Sequence, residues 1–140
     1  MASSPTAVAN ASGPMVCVID DDEQVRNTLA EILRRSGYGV VLASDGDMGL
    51  EVLEKSGAEV VVTDIVMPNR EGIETIREIR LRFPDVRILA MSGGGSKASS
   101  TDFLELAYAL GADDVLAKPF RMAELLHKLS KLAPPRAAVG

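Results

Sequence analysis

One cysteine, one histidine and no long apolar stretch narrow this chain before any motif is weighed. A lone thiol excludes a disulfide framework, and Cys17, set inside the first apolar run, fits a small buried core residue better than a reactive one. No segment has the unbroken apolar length that a bilayer demands, and the start, Met1 to Pro14, has neither a basic region nor a continuous apolar one. A cytoplasmic protein with no membrane insertion is expected. A basic surplus is missing too. Against 20 Asp and Glu stand 15 Lys and Arg, a net charge of −5, whereas gripping a phosphate backbone needs a basic face. Direct nucleic-acid binding is not expected.

What is present suits one domain with a single core: 140 residues, 46% of them hydrophobic. Small residues and proline dominate 1–14 and 134–140, which are expected to be flexible tails around a packed domain at 15–133. Short apolar runs at 15–19, 38–43, 59–63, 86–91 and 114–117 alternate with helical patterns, and their near-continuous apolarity suits strands covered on both faces. The first helix carries Val25, Leu29, Ile32 and Leu33 on one face, with Arg26, Asn27, Glu31 and Arg34 elsewhere and Gly37 as its stop. The second, about 45–56, rests on Met48, Val52 and Leu53 with Ser44 as N-cap. Ile73, Ile76, Ile79 and Phe83 mark the third; Phe103, Leu106, Ala107 and Leu110 the fourth; Met122, Leu125, Leu126 and Leu129 the last. Five βα units predict an α/β fold: a five-stranded parallel sheet, doubly wound, in strand order 2-1-3-4-5.

Two strands end in acids: Met15-Val-Cys-Val-Ile19 runs into Asp20-Asp21-Asp22, and Glu59-Val-Val-Val-Thr63 runs into Asp64. In the expected order the switch point falls between strands one and three, so these acids share one rim, where ligands of such sheets bind. Carboxylates gathered there repel one another and favour a cation, and hard oxygen donors favour Mg²⁺. By the same placement Ser92 ends strand four and Lys118 follows strand five. Asp22, three residues before Val25, fits an N-cap of the first helix better than a ligand. Each of the others also has a plainer role: Asp64 could merely end a strand, Lys118 could be a solvated lysine, and Ser92 could open a turn. His127, on the last helix and far in topology from the acids, fits a surface or boundary position.

The ordered set Ile19-Asp20-Asp21-Asp22, Thr63-Asp64-Ile65-Val66-Met67-Pro68, Met91-Ser92-Gly93 and Lys118-Pro119-Phe120 resembles the receiver domain of bacterial two-component response regulators, the CheY-like family. The match runs over about 14–133. The resemblance implies that Asp64 is the phospho-acceptor, served by a sensor histidine kinase or a histidine phosphotransfer protein. It implies Mg²⁺ held by Asp21, Asp64 and the Val66 carbonyl, with Asp20 acting through water. Lys118 and the Ser92 hydroxyl would bond the phosphoryl oxygens, and the backbone N–H groups of Ile65 and Gly93 would complete the cradle. The Lys118–Pro119 bond is often cis in the family. A partner kinase would dock near the first helix and the Pro119–Phe120 loop, and output would use the face of the fourth and fifth helices, in a monomer or a weak phosphorylation-dependent dimer.

Departures from the family pattern carry their own expectations. The stretch from Ser92 to Lys118 is longer than in compact members, so residues 93–101, with Gly93-Gly94-Gly95, are expected to form an extended loop. Val115 stands where many members carry a switching aromatic, so that loop and the fourth helix are expected to reorganise instead. Val66 and Gly94 replace side chains that orient a hydrolytic water, which predicts a long-lived phosphoryl group. Only Pro-Pro-Arg-Ala-Ala-Val-Gly follows Ala133, so the expectation is a stand-alone regulator with a downstream protein target. Two other functions compete. One is a haloacid dehalogenase-type Mg²⁺-dependent phosphohydrolase built on Asp20-x-Asp22, though Gln24 stands where that motif wants Thr or Val. The other is a pseudo-receiver that binds partners without being phosphorylated.

Overall fold

The computed structural model describes residues 13–64, 71–92 and 100–135; of residues 71, 72, 92 and 100–104 only the backbone is described. Strands β1 (Met15–Ile19), β2 (Gly39–Ala43), β3 (Val60–Asp64), β4 (Arg87–Ser92) and β5 (Asp114–Ala117) alternate with helices α1 (Glu23–Arg35), α2 (Gly46–Ser56), α3 (Glu71–Arg82), α4 (Ser100–Leu110) and α5 (Met122–Leu132). The strands pair in parallel in the order β2-β1-β3-β4-β5, as the βα alternation predicts.

Both faces of the sheet are covered, and alternate strand residues divide between them. Val16, Val18, Val60, Val62, Leu89 and Met91 pack against Leu29 and Leu33 of α1 and Leu125 and Leu129 of α5. Cys17, Ile19, Val61, Ile88 and Ala90 pack against Leu53 of α2, Ile76 and Ile79 of α3 and Ala107 of α4. This two-sided burial is why the strands show unbroken apolar runs rather than an apolar–polar alternation.

Several local expectations are corrected. The cap of α2 is Asp45, whose carboxylate accepts the Met48 N–H at 2.8 Å, and not Ser44. The helix turns one residue later than expected, so Asp45 holds the extended backbone that lets a side chain reach the third N–H. The buried line of α2 runs through Gly46, Gly49 and Leu53, which turns Met48 outward to 44% exposure. In α4 it is Ala107 that faces the core, and Leu106, one step round the helix, is 41% exposed. α4 begins at Ser100, two residues inside the 93–101 stretch expected as a loop. Pro14, placed with the N-terminal tail, is buried, and its carbonyl accepts the Gly39 N–H at 3.0 Å. Of the expected tails, residues 1–12 and 136–140 lie outside the described residues.

Candidate functional site

Strand register brings the acids together. Ile19 pairs with Thr63 across β1 and β3, so the next residues, Asp20 and Asp64, sit side by side at the carboxyl rim of the sheet. Ser92 pairs with Ala117, which places Lys118 one residue past the neighbouring strand end on the same rim. Its ammonium lies 3.3 Å from Asp20 Oδ2 and 3.2 Å from Asp64 Oδ2. Three elements far apart in sequence thus meet at one cation.

Burial makes that contact consequential. Asp20 is 1% exposed and Asp64 7%, depths at which a bare carboxylate is costly unless it is paired and hydrogen-bonded. Every polar group of Asp20 is engaged: its N–H donates to the Ala43 carbonyl at 3.2 Å, Oδ1 accepts the Asp22 N–H at 2.9 Å, Oδ2 faces Lys118, and its carbonyl accepts Arg26 Nη1 at 2.7 Å. Burial alone would lower the Lys118 pKa, but the Asp64 and Asp20 carboxylates beside it, and their hydrogen bonds, outweigh burial and hold it above the ordinary lysine value. The ammonium is therefore charged at neutral pH. The Lys118–Pro119 peptide bond is cis.

Asp21 is exposed at the rim, whereas Asp22 caps α1, accepting the Gln24 N–H at 2.9 Å and the Val25 N–H at 3.3 Å. The three consecutive acids have divided into a buried group, an exposed group and a cap. That division takes Asp22 away from the acid pair a phosphohydrolase of the competing kind would need. Val66, Ile65 and Gly93 lie outside the described residues, and Ser92 is placed by its backbone only. His127 is exposed on α5, away from the rim.

Among the described residues no three acidic side chains converge into a ready-made metal cage. What the rim supplies is two carboxylates on neighbouring strands that share a single ammonium, with Asp21 beside them. A net negative set of hard oxygens fits a dication such as Mg²⁺, which takes one or two protein carboxylates and keeps much of its water.

Arg26 was not foreseen at this site. Apolar spacing placed it on the outer side of α1, yet it is half-buried and reaches back over its own helix to the strand end. Its position four residues after the Asp22 cap, one turn up the helix, is the signal that could have found it.

Comparison with known proteins agrees with this geometry. The model of the response regulator receiver domain matches residues 16–130. Response regulator MprA of Mycobacterium sp. (strain KMS) is 36% identical over 117 residues, covering 84% of this chain and 49% of that protein. The chain spans about half the length of the curated relatives it matches. Among solved structures, the chemotaxis protein CheY4 of Vibrio cholerae is similar with a TM-score of 0.75 at 27% identity, over 85% of this chain and 98% of that one. A response regulator protein from Burkholderia pseudomallei, solved with a phosphorylated aspartic acid, calcium ion and citrate, gives a TM-score of 0.72 at 32% identity, over 85% of this chain and 66% of that one.

Proposed function

Because the chain belongs to the response regulator receiver family, we propose that it is a signalling domain whose Asp64 accepts a phosphoryl group from a phosphohistidine on a sensor histidine kinase or a histidine phosphotransfer protein. The observation that carries this reading is the shared ammonium: two nearly buried carboxylates on adjacent strand ends, both within 3.3 Å of Lys118. The phosphorylated aspartic acid of the Burkholderia pseudomallei protein supports it.

In the transfer an Asp64 carboxylate oxygen forms the new O–P bond as the P–N bond to the histidine breaks, and the bonding pair leaves with the imidazole nitrogen. Lys118 turns part of its charge from Asp64 to a phosphoryl oxygen, a move that needs no proton because the ammonium is already charged. What a bound Mg²⁺ supplies is compensation for the phosphoryl charge, with Asp21, Asp64 and the Val66 carbonyl as ligands and Asp20 acting through water. Mg²⁺ binding and a cytoplasmic location are typical of the family, and both are proposed for this chain. The Ser92 hydroxyl and the N–H groups of Ile65 and Gly93 are assigned to the remaining phosphoryl oxygens. The same groups, with water as acceptor, would later release phosphate, slowly, since Val66 and Gly94 offer that water no polar side chain.

A cleft of about 530 Å³ opens beside the rim, lined by Val25, Thr28, Leu29, Phe120 and Met122 together with Lys118. It is the proposed docking place of the phosphohistidine partner. Output is assigned to protein binding or phosphorelay through the face of α4 and α5.

Incubation with acetyl phosphate and Mg²⁺ tests the reading by mass. A gain of one phosphoryl group in the wild type, absent in Asp64→Asn, is expected. No gain in the wild type would favour the pseudo-receiver, and a gain that survives Asp64→Asn would move the acceptor elsewhere.

A further inference from the structure

We propose that Arg26 is a positioning residue of the acid rim, setting through the Asp20 main chain how firmly the rim holds a divalent cation. The proposal rests on the reading of Asp20, Asp21 and Asp64 as the phosphorylation centre. β1 ends at Ile19, and the Asp20 N–H makes the last bond to β2, at the Ala43 carbonyl. The Asp20 carbonyl has left the ladder, and the donor that meets it is Arg26 Nη1, at 2.7 Å from six residues on. The Arg26 backbone is itself fixed, its N–H bonded to the Asp22 carbonyl at 3.0 Å in the first turn of α1.

The consequence follows from the planarity of the peptide unit. The oxygen that Arg26 grips belongs to the peptide joining Asp20 to Asp21. Fixing that plane fixes ψ of Asp20 and φ of Asp21 together, and so the directions in which both acids leave the chain. One carboxylate goes inward to Lys118 and the other stays at the exposed rim. A charged donor makes the tie stronger than a neutral one would. Groups that hold ligands in place in this manner commonly change metal affinity by about 10–100-fold when removed.

The sign of the effect separates positioning from charge. Removing a nearby positive charge would by itself tighten the binding of a dication. Loss of positioning weakens it. The experiment is titration of the unphosphorylated protein with Mg²⁺ alone, followed by calorimetry, with the melting temperature read in parallel. Arg26→Met is expected to weaken Mg²⁺ by about tenfold, and Arg26→Lys, one bond shorter but still a donor, to recover part of that loss. Binding in Arg26→Met that equals or exceeds the wild type overturns the proposal, even if the melting temperature falls, because a merely structural tie would lower stability alone. Should Arg26→Met fail to fold, Arg26→Gln, polar but two bonds too short to reach, carries the same expectation and the same refutation. Asp20→Asn and the wild type complete the set. If the wild type itself takes no Mg²⁺, the phosphorylation-centre reading fails and this proposal with it. If the wild type binds and Asp20→Asn does not, an unchanged Arg26→Met sinks the role of Arg26 alone.

Discussion

Lys118 Nζ lies 3.2 Å from Asp64 Oδ2, a contact between residues 54 positions apart in the chain. The ammonium also meets Asp20 at 3.3 Å, so one positive charge stands against two buried negative ones. In Lys118→Met both carboxylates lose that partner, and under the proposed function the incoming phosphoryl oxygens lose a donor that is already charged and already at the rim. Phosphorylation by acetyl phosphate should slow by about 100-fold, the scale seen when one preorganised donor to a developing charge is removed. Single-turnover mass spectrometry checks this, and a rate within threefold of wild type, a threshold of about 0.7 kcal/mol, would remove Lys118 from the mechanism.

The rim was legible in the sequence because each of its residues sits at the end of an apolar run, and the βα alternation fixes which ends are neighbours. Asp22 as a cap was legible for a similar reason, since capping is local and has a spacing. Arg26 was not. Apolar periodicity sorts helix residues into inside and outside, and an arginine whose stem is half-buried while its head bonds a backbone carbonyl belongs to neither class. The exposure of Leu106 was hidden in the same way: its spacing matches the apolar face, and only the packing of Ala107 against the sheet shows which side of α4 is inward.

Arg80 was equally hidden, because an arginine in the last turn of a helix looks like a surface charge answering the helix dipole. It is a staple. Nε and Nη2 donate to the Gly111 carbonyl at 3.1 and 2.7 Å, Nη1 donates to the Pro84 and Val86 carbonyls at 2.9 and 2.8 Å, and Nη2 also meets Asp113 Oδ2 at 2.8 Å. The same Asp113 oxygen accepts the Ile88 N–H at 2.7 Å, so β4 is tied in as well. Arg80→Ala should cost about 2–3 kcal/mol, less than a fully buried network because water can reach part of it. Since this cluster lies at the opposite end of the strands from the acids, the acetyl phosphate rate should be unchanged. Urea denaturation beside that rate tests both halves.

Gly49 lies on α2 where a Cβ would run into Ile19 Cδ1 and come 3.0 Å from its Cγ1. Ile19 is fully buried and directly precedes Asp20, so it has little room to yield. Gly49→Ala gains about 1 kcal/mol of helix propensity but forces overpacking worth about 1–3 kcal/mol. A net loss of stability is expected. Ile19→Val removes the methyl that the new Cβ meets, so the double variant should be more stable than the sum of the two single changes predicts. Strict additivity in urea melts would show that the helix moves aside instead.

Cys17 gives the fold a pH dependence on the alkaline side. Burial pushes its thiol up to about 12, so the folded chain keeps the proton after the unfolded chain has lost it. Below the ordinary thiol value both states are protonated and this contribution is fully present; as pH rises through that value towards the folded one, the unfolded state gains by ionising and stability is lost. The slope approaches about 1.4 kcal/mol per pH unit for one proton. Lys118 and Tyr38, also raised, act with the same sign, but from higher ordinary values, so the window from about pH 8.5 to 10 belongs mainly to the thiol. Cys17→Ala should therefore start less stable at pH 7, because a core atom is missing, yet lose less on going to pH 10. Urea midpoints that fall in parallel for the two proteins across that window would mean that the folded core lets the thiol ionise.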